Sequence, residues 1–167
     1  MITDLKEREK KGNMEKVWDV RYPCYVEYDP ETGTYGGFCV DLPVYVAGKP
    51  TFEEAKRALE DGVAYYLAHL EVEGRPFPKP STGEEKVEGD HLTHVEVQPS
   101  PVNPVSIEIE RTMRRKGISR SELARRMGVR PPMVTRILDP LYFGHTLTTL
   151  RRVAKALESD LEVRFVA

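Results

Sequence analysis

The sequence predicts an α+β protein with two domains, and three observations lead to this prediction. The chain has 167 residues, which suits one ordinary domain or two small ones. Alternating apolar residues, typical of strands, concentrate in the first half, and helical spacing dominates the second. The net charge divides as well: residues 1–100 carry 12 Lys and Arg against 20 Asp and Glu, or −8, whereas residues 101–167 carry 13 against 7, or +6.

The first domain is predicted to begin with a β-hairpin and a short third strand. Residues 21–28 alternate and the segment 34–40 returns, with turn residues at 29–33 between them. The paired glycines Gly36 and Gly37 indicate a bulge or a close approach by another backbone. Residues 44–47 form the third predicted strand, which stops at a glycine.

A long amphipathic helix follows these strands. Thr51 and Glu54 form a capping box, and apolar residues recur at helical spacing over roughly 22 residues, ending near Gly74. The residues His94 to Val97 alternate and are expected to add a last strand to the same sheet. Because one helix cannot cover both faces of a sheet, we expect a partner or a second copy to complete the other face.

The domain boundaries follow from composition. Residues 1–16 form a charged leader in which some disorder is expected, and residues 17–98 form the first domain. Six of the thirteen prolines lie between Gly74 and Pro104, which indicates an extended connecting region, with the linker itself at 99–104. Residues 105–167 form the second domain, which ends in an alternating segment around Leu161 that is predicted to be a strand paired with a symmetry mate or another element.

The second domain contains two short helices joined by a turn, the pattern of a DNA-binding helix-turn-helix. Ser119 and Glu122 form a capping box, Gly128 can adopt the positive φ that ends a helix, and Pro131 suits the first position of the next helix. An ordinary helical hairpin is the alternative, but several independent signals agree at the spacing that the motif requires. Asn103 and Thr146 are placed to begin the flanking helices.

In a helix-turn-helix the second helix enters the major groove and the first contacts the DNA backbone. Arg136 is the best candidate for a bidentate contact with guanine, because its planar fork matches the O6 and N7 acceptors. The predicted DNA-binding residues are Ser119, Arg120, Ser121, Arg130, Pro131, Pro132, Met133, Thr135, Arg136 and Thr146. The two prolines lack an N–H, so base reading beside them must come from thymine methyl contacts, from Arg136 or from DNA shape.

Several classes of protein are disfavoured. No run approaches the roughly 18 apolar residues of a membrane span, and the first residues lack the apolar core of a secretory signal. Cys24 and Cys39 are expected to be buried, reduced thiols of a cytoplasmic protein. The pair His91 and His94 has no third ligand nearby, so neither a metal nor a cofactor is predicted.

Two family resemblances extend this interpretation. The segment 117–157 resembles the phage-repressor-like (Xre/Cro type) helix-turn-helix family. The segments Gly36-Gly37-Phe38-Cys39-Val40-Asp41-Leu42-Pro43, Thr51-Phe52-Glu53-Glu54-Ala55 and Gly74-Arg75-Pro76-Phe77-Pro78, in this order, resemble the HicB antitoxin family. Together the resemblance covers about residues 20–165.

The HicB resemblance implies a partial RNase H-like β-β-β-α(-β) domain without catalysis, joined to an all-α helix-turn-helix domain with a C-terminal strand. It implies that the first domain binds and occludes a HicA-type toxin, an mRNA-cleaving ribonuclease, and that the second binds the operator of the operon. A homodimer or homotetramer is expected. The residues expected to meet the toxin are Tyr35, Phe38, Asp41, Leu42, Pro43 and Tyr45.

Two alternatives remain at this point. An active RNase H-like nuclease would need several carboxylates around Mg²⁺, but Asp29, Glu31 and Asp41 occupy turn positions, so no enzyme is predicted. The other alternative is a helix-turn-helix repressor that senses a small ligand and has no toxin partner.

Overall fold

The computed structural model describes residues 18–82, 87 and 89–164, and the leader 1–16 lies outside them. The chain divides into two compact units, one formed by Met1–Leu67 with Pro76–Pro101 and the other by Ala68–Arg75 with Val102–Ala167. The first unit holds a sheet, and the second holds four short helices. The α+β class predicted from the sequence is therefore confirmed.

The first unit contains a four-stranded antiparallel sheet of order β3-β2-β1-β4. Its strands are β1 (Tyr22–Asp29), β2 (Thr34–Cys39), β3 (Tyr45–Lys49) and β4 (Leu92–Val97). Helix α1 (Phe52–Glu73) connects β3 to β4 and has the predicted 22 residues. Its last residues belong to the second unit.

Helix α1 packs on one face of the sheet. Its inward residues Ala55, Leu59, Val63 and Leu67 are fully buried, as are Tyr22, Cys24 and Val97 of the strands. The predicted close approach occurs at Gly37, where an added Cβ would lie 2.6 Å from the Tyr25 carbonyl oxygen and 2.9 Å from Leu59 Cδ1. The absence of a side chain at this position lets Leu59 reach the backbone of the sheet.

The two cysteines are buried, unbridged thiols, as predicted. Cys24 and Cys39 lie directly opposite each other on β1 and β2. The hydrogen bond with Cys39, together with burial, raises the pKa of the Cys24 thiol, so this group stays protonated.

The second unit contains α2 (Pro104–Lys116), α3 (Arg120–Met127), α4 (Pro131–Ile137) and α5 (Leu147–Ala156). Their starts follow the predicted caps, because the side chains of Asn103, Ser119 and Thr146 each accept a hydrogen bond from a backbone N–H of the following helix. Apolar residues from all four helices form one buried cluster, which includes Met113, Leu123, Val134 and Val153.

The predicted terminal strand is not formed by residues 160–164, which make no sheet pairing in the described part of the chain. Its third alternating residue, Phe165, lies outside the described residues. A lone strand has no ladder to stabilise it, so the pairing of this segment with a symmetry mate stays a prediction. No described helix combines the length and apolar character needed to cross a membrane.

We predict that Gly37→Ala destabilises the first unit by about 1–3 kcal/mol, because the new Cβ would overlap with a backbone carbonyl and with Leu59. Gly33→Asn is the control: Gly33 has φ of 67° with open space around it, and asparagine tolerates this region at a cost of about 1 kcal/mol or less. Urea unfolding of both variants checks the difference. Equal destabilisation would contradict the account of Gly37.

Candidate functional site

The first candidate surface is the exposed side of the α3–α4 pair in the second unit. Helix α3 ends at Gly128, which has φ of 62°, and α4 begins with Pro131 and Pro132 after Arg130 as its N-cap. Leu123, Ala124, Val134 and Ile137 are buried between this pair and the other helices. The caps and the glycine turn predicted from the sequence are confirmed.

All ten residues predicted to bind DNA are exposed to solvent in the structure. Some of them already have partners within the chain: Arg120 pairs with Glu110 at 3.2 Å, and the Thr135 hydroxyl donates to the Pro131 carbonyl at 3.4 Å. The Arg136 guanidinium lies over the ring of Tyr142, with its Cζ 4.9 Å from the ring centroid. Exposure leaves the outer side of α4 accessible to a ligand.

The two other arginines of α3, Arg125 and Arg126, form ion pairs within the chain. Glu122 accepts hydrogen bonds from Arg125 and Arg126 at 2.7–2.8 Å, and these bonds lower its pKa to about 2. Arg126 also donates to the Ala156 carbonyl at 3.1 Å and pairs with Glu158. Arg126 thus joins α3 to the end of α5, whereas Arg125 pairs within α3, and we assign neither side chain to DNA.

A buried polar cluster holds the segment that follows α4. The Ser106 hydroxyl, which is 1% exposed, lies 2.9 Å from the Ile137 carbonyl oxygen and 3.0 Å from that of Asp139. His145 Nε2 lies 2.9 Å from the same Ile137 oxygen, and its Nδ1 lies 3.1 Å from Asn103 Nδ2. These distances fit a neutral imidazole that donates from Nε2 and accepts at Nδ1.

Sequence reasoning missed this cluster and Tyr142 as well. Asn103 was predicted only as a helix cap, and neither Ser106 nor His145 carried any local signal. The contacts join residues 31–42 positions apart, so no periodic pattern could have revealed them. A buried serine among apolar helix residues was the available hint.

The second candidate surface is the sheet face opposite α1, which we call the open sheet face. It carries Tyr25 stacked on Phe38, with ring centroids 5.5 Å apart, and Tyr45 directly opposite Phe38 on β3. A groove of about 290 Å³ lies on this side. Its lining includes Glu27, Asp29, Thr34, Gly36, Phe38, Tyr45 and Ala47.

The structure brings together only some of the residues predicted to contact a toxin. Phe38 and Tyr45 share the open sheet face, and Tyr45 is 76% exposed. Tyr35 lies on the opposite face, with its ring 6.3 Å from that of Phe52 in α1. In the loop after β2, Leu42 is buried, Pro43 is exposed, and the Asp41 carboxylate accepts hydrogen bonds from Ser81.

Two of the carboxylates considered as metal ligands of a nuclease accept hydrogen bonds within turns and loops. Asp29 accepts hydrogen bonds from the Thr32 hydroxyl and the Glu31 N–H, which lower its pKa and close the hairpin turn. His94 lies 3.3 Å from Glu96, its neighbour along β4. Within the described residues, no group of three or more His, Cys, Asp or Glu side chains is arranged to hold a metal ion.

Fold and surfaces together define an α+β protein with a sheet unit, one open sheet face and an exposed helical pair in a separate unit. No family model matches the chain. Antitoxin HicB of Pseudomonas fluorescens is 27% identical over 139 residues, which cover 83% of this chain and 88% of that protein. Antitoxin HicB 2 of Photorhabdus laumondii is 30% identical over 145 residues, which cover 87% and 96%. The chain belongs to the HicB antitoxin family.

We predict that Ser106→Ala destabilises the second unit by about 1–2 kcal/mol, because it removes the buried hydroxyl that lies between the Ile137 and Asp139 carbonyl oxygens. Ser121→Ala, the same change at an exposed position of α3, should stay within about 0.5 kcal/mol of the wild type. Thermal unfolding of the two variants measures this difference. A Ser106→Ala protein as stable as Ser121→Ala would show that the cluster does not hold the segment after α4.

Proposed function

We propose that this protein is the antitoxin of a type II toxin–antitoxin system. Its first unit binds and occludes a HicA-type mRNA-cleaving toxin, and its α3–α4 pair, acting as a helix-turn-helix, binds operator DNA to repress the operon. The protein acts in the cytoplasm by binding its toxin and its operator, and it catalyses no reaction. The observation that carries the proposal is the similarity to two HicB antitoxins over more than four fifths of the chain.

The charges of the two halves support this division of roles. Residues 101–167, which carry a net charge of +6, contain the α3–α4 pair. Cationic proteins gain affinity for DNA by neutralising its phosphates. The ten exposed candidate residues include Arg130 and Arg136, neither of which pairs with a carboxylate in the described part of the chain. Since helix-turn-helix proteins bind paired half-sites, we propose a homodimer or homotetramer.

The open sheet face supports toxin binding by the first unit. Phe38 and Tyr45 offer aromatic surface, and Glu27 and Asp29 add negative charge beside it. A ribonuclease must attract RNA phosphates, so its active-site surface is positively charged. The open sheet face is acidic and aromatic, and it belongs to residues 1–100, whose net charge is −8. Such a face is complementary to a positively charged surface. We place the toxin contact there, with Phe38 and Tyr45 retained from the six residues predicted from sequence.

Co-expression with the neighbouring reading frame, predicted by the family resemblance to encode a small basic toxin, tests toxin binding. We expect the wild type to co-purify with this protein and to suppress its toxicity. Glu27→Lys should weaken the complex by about 10-fold or more, because it places a cation on the open sheet face. Asp90→Lys, an exposed charge reversal outside the groove, should bind as the wild type does. A wild type that forms no complex and leaves toxicity intact would overturn the antitoxin proposal.

Arg136→Ala tests the DNA-binding role. We expect affinity for the protein's own promoter to fall by about 10-fold or more, since a bidentate arginine–guanine contact contributes about 1–3 kcal/mol of discrimination. Arg57→Ala removes the same charge from an exposed position of the first unit and should leave affinity unchanged. Gel-shift titrations on promoter and random DNA provide the comparison. If Arg136→Ala weakens both duplexes equally, Arg136 contacts phosphate and does not read a base.

A further inference from the structure

Tyr142 is the partner of Arg136 in the second unit. The guanidinium carbon lies 4.9 Å from the centre of the tyrosine ring, within the range of cation–π attraction. Neighbouring arginines are held differently, because Arg120 pairs with Glu110 and Arg125 with Glu122. No carboxylate in the described part of the chain lies within ion-pair distance of Arg136.

This difference affects which hydrogen bonds Arg136 can still make. A carboxylate partner occupies the N–H edges of a guanidinium, whereas an aromatic ring contacts its flat face. The edge donors therefore remain available for the two acceptors of a guanine. An arginine supported by a ring is oriented and still able to form both hydrogen bonds.

The tyrosine is itself fixed on several sides. Its N–H donates to the Asp139 carbonyl at 3.1 Å, its carbonyl accepts from Asn103 Nδ2 at 2.9 Å, and its hydroxyl donates to the Gly144 carbonyl at 2.9 Å. The His145 ring packs against it with centroids 5.1 Å apart. A Cβ at Gly144 would lie 2.4–2.8 Å from atoms of the Tyr142 side chain, so this glycine leaves the space that the ring occupies.

The remainder of α4 offers few donors for base reading. Pro131 and Pro132 have no N–H, and the Thr135 hydroxyl is turned back to the Pro131 carbonyl. Met133 is 45% exposed and can make only apolar contacts. Hydrogen-bonded discrimination by this helix thus depends on Arg136 and on whatever orients it.

We propose that Tyr142 is a positioning residue that holds Arg136 for guanine recognition and so sets the sequence selectivity of this protein for duplex DNA. The inference rests on the proposed DNA-binding function. Without the ring, Arg136 samples many rotamers and reaches neighbouring phosphates as readily as a base edge. Selectivity is then lost while general affinity for DNA persists.

The test begins with selection of duplexes from a randomised library by the full-length protein. Affinities of the variants are then measured for the selected duplex and for a scrambled duplex of equal length. We expect Tyr142→Leu to lower affinity for the selected duplex by about 3- to 10-fold and to leave the scrambled duplex unchanged. Tyr142→Phe keeps the ring and should stay within about 2-fold of the wild type.

The double variant separates positioning from a structural role. In the Arg136→Ala background, Tyr142→Leu should cause no further loss of affinity, because the side chain that it positions is gone. A further loss there, or an equal loss on both duplexes, would overturn the inference. A wild type that selects no sequence would instead refute the proposed DNA-binding function, and this inference with it.

Gly144→Ala provides a second, independent displacement of the ring. The added methyl group pushes the tyrosine side chain away while every group of Tyr142 and Arg136 is kept. We expect Gly144→Ala to reproduce the loss of selectivity caused by Tyr142→Leu. This second variant keeps the inference testable if Tyr142→Leu lowers the melting temperature of the protein. A Gly144→Ala protein with wild-type selectivity would contradict the proposal.

Discussion

The packing of one helix against one face of the sheet is the constraint on which the first unit depends. Helix α1 approaches β2 closely only because Gly37 leaves room for Leu59, and this contact buries the apolar residues of β1 and β4 on that side. The opposite face keeps exposed aromatic and acidic side chains, among them Tyr45 and Glu27. Tyr25 on that face is buried, but the exposed part around Tyr45 and Glu27 is available for a protein partner. The proposed toxin contact lies on the side that the fold does not need for its own core.

Local signals were enough to predict most of the elements. Capping residues and glycines at helix ends act within a few positions, so Thr51, Ser119 and Gly128 predicted boundaries that the structure confirms. Residues 160–164 form no strand within the single chain, since alternation alone cannot supply a pairing strand, and their pairing with a symmetry mate stays a prediction. Tyr35 and Phe38 are three positions apart on β2 and lie on opposite faces because side chains alternate along a strand, so the sequence alone could have separated them.

The candidate sites were predicted less completely than the fold. Exposure of the ten DNA-binding candidates follows from helix geometry, and the sequence therefore predicted which side of α4 faces outward. The side chains that hold Tyr142 and the end of α4 include Asn103, which lies 39 positions from Tyr142 in the sequence, and His145. Their roles arise from tertiary packing, and no spacing rule connects them to the recognition surface.

The central claim is that toxin neutralisation and operator binding use separate surfaces on separate units. The most direct measurement follows both activities in the same cells, with growth reporting neutralisation and a promoter fusion reporting repression. The account predicts that Arg136→Ala loses repression and still neutralises, whereas Glu27→Lys loses neutralisation and still represses. Variants that lose both activities together would contradict the separation of the two surfaces.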